Sequence, residues 1–153
     1  MEESEQGKPP VFYAGSTRFW SDEEKARHEA EFEKAYKYAM EMTERELQQA
    51  VEGMYHNLNT LQSRSGNQLP FSSINYGTCT LPEGRMVTKA LLEGSIEGVG
   101  KVRKTPIFPC GIFQCMKGVN RAPGDPNYDL FRLALRSTAQ RLYPNYANVD
   151  WSG

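Results

Sequence analysis

The sequence predicts an α/β fold in which parallel strands are joined by helices. Two stretches, 71–76 and 105–116, are rich in β-branched and aromatic residues, and an apolar-periodic, helix-like stretch lies between them. The connection of roughly thirty residues suits a crossover between parallel strands and is too long for a hairpin. Helical periodicity before the first strand and after the second predicts further helices. Because two strands do not make a stable sheet alone, we expect a slice of a larger α/β structure.

The first predicted helix begins with a capping box at Ser21. Ser21 and Glu24 have the spacing at which a hydroxyl and a carboxylate each reach the other residue's backbone N–H. The apolar face that follows is formed by Phe32, Ala35, Tyr36, Ala39, Met40, Leu47, Ala50, Val51, Met54, Leu58 and Leu61. A second capping box at 43–46 leaves two arrangements open: one long helix, or two helices joined near Met42.

The chain is predicted to have two parts. Residues 1–20 are polar and then aromatic, and they are expected to form a flexible lead whose aromatic side chains pack on another surface, such as its own helix. Residues 21–153 are expected to form a single α/β segment.

A polar connector leads into the first strand, and together they carry the candidate substrate-binding groups. Alternation places Ser73 and Asn75 on one face of the strand, with Ile74 and Tyr76 on the other. A hydroxyl, a carboxamide and the backbone amides of a glycine-bearing loop are suited to hydrogen-bond a sugar or a phosphate. The candidates are Arg64, Ser65, Gly66, Ser73 and Asn75. Ser73 and Asn75 would equally serve to satisfy neighbouring backbone groups.

Capping and glycine signals in the middle of the chain predict a second helix, followed by the second strand. Residues 80–83 form a third capping box, with a proline in the first turn, so a helix is expected to open near Pro82 and to end at the glycines of 98–100. The second strand follows. Without neighbouring strands its apolar side chains are expected to lie uncovered, and they are Ile107, Phe108 and Phe113.

The last helix is expected to start at Asp125, as its cap, with proline in the first turn, and to stop at 143–145. Asp125, Asn127 and Asp129 cluster acceptor oxygens, but capping explains them without a metal ion. We interpret Arg85 as a surface arginine of the preceding helix, with a phosphate ligand as the alternative.

Composition and cysteine usage exclude several classes of protein. With 18 basic and 19 acidic residues, the net charge is -1, which gives no electrostatic case for nucleic acid or an anionic membrane. No apolar run approaches the ~20 residues of a membrane span. An odd number of cysteines without scaffold spacing indicates a reducing compartment. Cys110 and Cys115 fall on opposite faces of a regular strand, so packing is preferred over a redox pair, as it is for Cys79.

Four blocks of sequence carry a resemblance to a known family. They are RSGNQLPFSSINYGT, EGRMVTKALLEGSIEGVG, TPIFPCGIF, and GDPNYDLFRLA followed by RLYPN. In content, order and spacing they resemble the anaerobic, class III glycyl-radical ribonucleoside-triphosphate reductases. The resemblance covers roughly residues 47–146, and little of the chain before it matches.

The resemblance implies a fold and an activity. The family's catalytic domain is a ten-stranded α/β barrel, so the chain would be a partial barrel. The family reduces ribonucleotides to deoxyribonucleotides with a thiyl radical generated by a glycyl radical, and it uses a structural zinc and formate or a thiol reductant. The thiyl loop would follow shortly after Asp150, and neither it nor the glycyl segment has a counterpart in this sequence. No catalytic residue, metal ligand or cofactor is therefore assigned, and the chain alone is expected to be inactive.

The resemblance also implies partners. These are a ribonucleoside triphosphate, the remaining reductase segments, a second subunit and a radical-SAM activating enzyme, in the cytoplasm of a bacterium or of a phage-infected cell. No membrane and no direct nucleic-acid partner are expected. The alternative is a split-gene fragment or a remnant that acts only as a nucleotide-binding or structural module. The family's allosteric nucleotide site cannot be mapped onto these residues.

Overall fold

In the computed structural model, residues 20–60 and 70–151 are described, and they form helices and parallel strands. The helices are α1 (Asp22–Thr60), α2 (Pro82–Glu97) and α3 (Tyr128–Arg141), and the strands are β1 (Ser73–Tyr76), β2 (Cys110–Cys115) and β3 (Asn145–Asn148). A single 3-10 turn, Val149–Trp151, follows β3. The predicted α/β class is confirmed. Within the described ranges, no helix has the length and apolar character needed to cross a bilayer.

The sheet has the order β1-β2-β3, and both pairs of neighbours are parallel. The predicted parallel pairing of the first two strands is therefore confirmed. The sequence does not predict the third strand, because the signal at 143–145 indicates only the end of the last helix. Leu142 adopts a left-handed conformation with φ 55°, and the chain after it runs alongside β2. The first and last residues of β3 are asparagines, which have little intrinsic preference for strands. The formation of β3 therefore depends on its pairing with β2.

The register divides the sheet into two faces. Asn75 pairs with Ile112, and Ile112 pairs with Asn145, so these three side chains share one face. Tyr76 and Phe113 lie on the opposite face and are buried. We call the first face the open face, because its side chains are exposed or half-buried; it consists of Ser73, Asn75, Cys110, Ile112, Gln114, Asn145 and Ala147.

Helix α1 is one continuous helix through Met42, where the sequence also allowed a joint between two helices. The predicted capping box is confirmed: the Glu24 N–H donates to Ser21 Oγ at 3.2 Å, and the Ser21 N–H donates to Glu24 Oε2 at 2.8 Å. The second capping box, at 43–46, does not start a new helix. The Thr43 hydroxyl donates back to the Ala39 carbonyl at 2.8 Å, a bond that a mid-helix threonine can make.

The chain divides into two compact units, Met1–Arg45 and Glu46–Gly153, with the boundary inside α1. In the first unit, the Trp20 ring meets His28 edge-on with centroids 5.2 Å apart. The second unit contains the sheet and a core cluster of Val51, Tyr55, Tyr76, Ala90, Leu91, Leu92, Phe113, Leu130, Ala134 and Tyr143. All three helices contribute to this core, which covers one face of the sheet.

The expectation that Phe113 lies uncovered is wrong. Phe113 has no exposed surface, because the rings of Phe131 and Tyr146 lie 6.1 and 6.0 Å from its own. The expectation holds for Ile107, which is 64% exposed, whereas Phe108 is half-buried. Helix α3 and the unpredicted β3 supply the cover that the two-strand picture lacked.

The predicted caps of α2 and α3 are wrong, although the positions of the helices are close. Leu81 is the N-cap of α2 and makes no side-chain cap bond; the proline in the first turn is as predicted. Helix α3 begins after Asn127, and Asp125 instead accepts from the N–H groups of Arg121 and Ala122, at 3.1 and 2.9 Å. Asp125 therefore closes the loop before the helix. The predicted end of α2 at Gly98 is confirmed, with φ 81°.

Candidate functional site on the open face

The structure brings together two of the five candidate binding residues. Ser73 and Asn75 are exposed on the open face, while Tyr76 is buried and Ile74 packs against the core. The predicted alternation is therefore confirmed, and the roles of Ser73 and Asn75 stay predictions. Arg64, Ser65 and Gly66 lie outside the described residues. The register adds a residue that sequence reasoning missed: Gln114 lies on the same face, and the Thr78 hydroxyl lies 3.5 Å from its Oε1.

The segment that enters β2 is held in place by Asn59 of α1. The Asn59 amide donates to the Phe108 carbonyl at 2.6 Å. Its Oδ1 accepts from the N–H groups of Ile107 and Phe108, at 2.8 and 3.0 Å. The Cys110 N–H then donates to the Ser72 carbonyl at 2.8 Å. One side chain thus satisfies three backbone groups of this segment, as well as the Tyr55 carbonyl of its own helix at 2.6 Å, and fixes the amino end of the open face.

Buried tyrosine hydroxyls lie next to Gly111 of β2, on the face of the sheet that the helices cover. The Tyr143 hydroxyl donates to the Pro109 carbonyl at 2.8 Å, and the Tyr55 hydroxyl donates to the Leu91 carbonyl at 2.9 Å. Burial raises the pKa of both phenols, so they remain neutral donors. Gly111 is required here, because an added Cβ would lie 2.5 Å from the Tyr143 hydroxyl oxygen.

Two asparagines hold the carboxyl ends of β1 and β2 together. The side-chain amides of Asn120 and Asn127 both donate to the Gly77 carbonyl, at 3.0 and 3.1 Å. Asn120 also donates to the Gln114 carbonyl at 2.8 Å, and Asn127 to the Cys79 carbonyl at 2.8 Å. Both side chains are fully buried. The loops at this edge of the sheet, where ligands of open α/β sheets commonly bind, are therefore fixed.

Arg85 has a structural role that neither interpretation of the sequence anticipated. Its guanidinium donates to the Pro126 carbonyl at 2.5 Å, to Asn127 Oδ1 at 2.7 Å and to Asp129 Oδ2 at 2.6 Å. Burial raises the pKa of Asp129, but the hydrogen bond and charge of Arg85 outweigh it, and the net effect lowers that pKa. Arg85 thus joins the start of α2 to the start of α3, and both of its terminal nitrogens donate within the protein.

Comparison with known proteins decides the family. Residues 16–152 match the family described as anaerobic ribonucleoside-triphosphate reductase. The chain belongs to this reductase family. It is 39% identical over 113 residues to the anaerobic ribonucleoside-triphosphate reductase of Haemophilus influenzae. The aligned stretch is 74% of this chain and 16% of that protein. It is 36% identical over 134 residues to the reductase of Salmonella typhimurium, covering 88% of this chain and 19% of the relative.

The reductase of Enterobacteria phage T4 is 40% identical over 111 residues, covering 72% of this chain and 18% of the phage protein. The chain therefore spans less than a fifth of the length of these relatives. The family match begins at residue 16, well before the motifs that identified the family from sequence. The expectation that little of the chain before residue 47 matches is corrected accordingly.

The two cysteines of β2 lie on opposite faces of the sheet. All three are free thiols, and the register places Cys110 on the open face and Cys115 on the helix-covered face. The preference for packing over a redox pair is consistent with this separation. Burial raises the pKa of the Cys115 thiol, which disfavours the reactive thiolate. Across residues 20–60 and 70–151, no three His, Cys, Asp or Glu side chains are grouped to hold a metal ion.

Asp150 lies in the 3-10 turn that follows the carboxyl end of β3. Its carboxylate accepts from the Lys117 N–H at 3.1 Å and from the Arg121 guanidinium at 2.7 Å. These hydrogen bonds, first from Lys117 and then from Arg121, lower the pKa of Asp150. The loop after β2 and the turn after β3 are thereby joined.

Proposed function

We propose that this chain is a segment of the catalytic domain of an anaerobic ribonucleoside-triphosphate reductase, an oxidoreductase that forms deoxyribonucleotides from ribonucleotides by radical chemistry. The observation that carries the proposal is the match of residues 16–152 to that family. The parallel α/β architecture of the second unit supports it, because a slice of an α/β barrel has this form.

The barrel itself is part of the proposal. Strand β2 has neighbours on both sides, whereas β1 and β3 each have one neighbour among the described residues. Further parallel strands can add at these two edges, as the ten-stranded barrel requires. The helices cover one face of the sheet, which is the arrangement of a barrel wall with helices outside and the open face inside.

The open face is the proposed substrate side. Ser73 and Asn75 offer a hydroxyl and a carboxamide there, and Gln114 adds a second carboxamide. Such groups need a partner when a barrel closes over them, and a ribonucleoside triphosphate supplies hydroxyl and phosphate oxygens. The connector residues Arg64, Ser65 and Gly66 remain proposed contributors on the sequence argument alone.

The rest of the chemistry is assigned to other parts of the enzyme. The glycyl radical, the thiyl-forming cysteine, the structural zinc and the formate or thiol reductant would act in segments outside this sequence. The activating radical-SAM enzyme and the second subunit of the dimer would be partners of the assembled protein, in the cytoplasm of a bacterium or of a phage-infected cell. The residues described above bind and orient substrate in this proposal, and none performs the radical step.

A segment exchange tests the function. The matching stretch of the Salmonella typhimurium reductase is replaced by this chain, and the hybrid is activated anaerobically. Deoxynucleotide formation by the hybrid, with none by this chain alone, supports a catalytic segment. A hybrid that folds and gains its glycyl-radical signal but forms no product would favour the remnant or purely structural module.

A further inference from the structure

A cavity of about 370 Å³ lies between the end of α1 and the turn that follows α2. We call residues 99–104 the basic turn. The polar and charged residues lining the cavity are His56, Asn59, Thr60, Lys101, Lys104 and Thr105. The cavity lies entirely within the second unit and shares none of the open-face residues.

The basic turn has a fixed backbone. The Val99 N–H donates to the Lys104 carbonyl at 2.7 Å, and the Lys104 N–H returns a bond to the Val99 carbonyl at 3.0 Å. The Arg141 guanidinium of α3 donates to the Arg103 carbonyl at 2.8 Å and also to the last carbonyls of α2. Gly100 takes φ 72°, a value that favours glycine. The two lysines are therefore carried on an ordered support.

The charge of the turn is uncompensated. Lys101, Arg103 and Lys104 are exposed, and none of them forms an ion pair with a carboxylate within the described residues. The bonds of Arg141 go to neutral carbonyls, so it adds a further positive charge. The carboxylates of Glu52, Glu93 and Glu97 line the adjoining groove between α1 and α2, which shares His56, Val99 and Gly100 with this cavity. In a chain of net charge -1, this is a local concentration of positive charge.

Backbone donors add to the side chains. Among the hydrogen bonds of the described residues, none uses the N–H of Lys101 or Val102, at the tip of the turn. Successive free N–H groups beside a residue of positive φ form a concave anion-binding feature. Lysine ammonium groups are suited to phosphate as compact charges with three donors.

We propose that the basic turn and its cavity bind the phosphate chain of a polyphosphorylated ligand. The cavity is large enough for a triphosphate, and Lys101 and Lys104 would neutralise its charge from one side. A concave site of this size, in a chain without a general basic excess, fits a small anion better than a nucleic-acid backbone. The site is distinct from the open face and does not depend on the proposed reductase function.

Titration of the ¹⁵N-labelled 153-residue chain tests the site with inorganic triphosphate, ATP and adenosine. Triphosphate and ATP are expected to shift the amide signals of 99–104, and adenosine is not. Tighter binding of ATP than of triphosphate would identify a nucleotide as the ligand, whereas equal binding would mean that the phosphate chain suffices. In both cases affinity should fall as ionic strength rises.

The double variant Lys101→Gln/Lys104→Gln should weaken triphosphate binding by at least about ten-fold, since each lysine supplies a charge-assisted hydrogen bond. Lys117→Gln, an exposed lysine elsewhere in the second unit, is the matched control and should bind as the unaltered chain does. The proposal is overturned if triphosphate shifts no amide of the turn, if Lys117→Gln loses as much affinity as the double variant, or if adenosine shifts the turn as strongly as ATP.

Discussion

Asn120 and Asn127 donate to one carbonyl, that of Gly77, from 43 and 50 positions further along the chain. The bond pair connects the end of β1 to the loop before α3, and both side chains are fully buried. Each amide also satisfies a second carbonyl, so four hydrogen bonds converge on this edge of the sheet. The arrangement makes the carboxyl edge of the sheet a rigid part of the fold.

Asn120→Ala should therefore destabilise the fold. The Gln114 carbonyl would lose its amide donor and the Met116 N–H its acceptor, both at partly buried positions, and the buried Gly77 carbonyl would lose one of its two donors. Buried groups left without partners cost about 1–3 kcal/mol, and this loss should appear in the free energy of unfolding by denaturant. Asn145→Ala, an exposed asparagine, is the control and should change stability by less than about 0.5 kcal/mol. Equal effects of the two substitutions would contradict the assigned role of Asn120.

Glycine substitutions should have opposite effects at two positions. At Gly111 a Cβ would lie 2.5 Å from the Tyr143 hydroxyl and 2.8 Å from that of Tyr76, so Gly111→Ala should cost about 1–3 kcal/mol through overpacking. At Gly53, in α1, a Cβ would meet no atom within 4 Å, so Gly53→Ala should stabilise by about 0.5–1 kcal/mol. Thermal unfolding of both variants gives the comparison. A neutral Gly111→Ala would show that the tyrosines move aside without cost.

Arg85 should contribute more to the free energy of unfolding than its ion pair with Asp129 alone. Asp129 is 62% exposed, so Asp129→Asn should cost no more than about 1 kcal/mol, the range of surface ion pairs. Arg85→Met removes the donors to the Pro126 carbonyl and Asn127 Oδ1 as well, and should cost about 1–3 kcal/mol. Chemical unfolding at pH 7 measures both losses. The same loss in the two variants would mean that Arg85 acts only through Asp129.

The pH dependence of that pair follows from the lowered pKa of Asp129. A carboxyl whose pKa is lower in the folded state contributes stability above its ordinary pKa and loses it as the pH falls through the folded value. Stability should therefore decline in acid, below about pH 4, by an amount that Asp129→Asn removes. Unfolding curves between pH 7 and pH 2 test the sign. A variant with the same acid profile as the unaltered chain would exclude Asp129 as a contributor.

Local signals predicted only part of this structure. The Ser21 cap, the glycine end of α2 and the alternation of β1 each depend on residues within a few positions, and the structure agrees with them. Asn127 instead satisfies carbonyls 50 and 48 positions away, so its own helix begins without a side-chain cap. Strand β3 and the contacts of Gln114 likewise depend on register across the sheet. Neither periodicity nor capping rules encode such distant partners.

The isolated chain is expected to associate with itself. Phe71 is 83% exposed and Ile107 64% exposed, and the outer edges of β1 and β3 lack a neighbour within the described residues. Uncovered apolar side chains and unpaired strand edges favour association. Sedimentation at two protein concentrations should show concentration-dependent mass. A monomer with a sharp, concentration-independent melt would contradict this expectation.

Activity of the hybrid reductase with Asn75→Ala tests whether the open face lies on the substrate side of a reductase barrel. We expect deoxynucleotide formation to fall several-fold, because a lost hydrogen bond is worth about 0.5–1.5 kcal/mol. Gln140→Ala, at an exposed position of α3, should leave it unchanged. Ile74→Ala should lower stability instead, since Ile74 packs against the core. Unchanged nucleotide affinity and turnover in Asn75→Ala would contradict the placement of substrate on the open face.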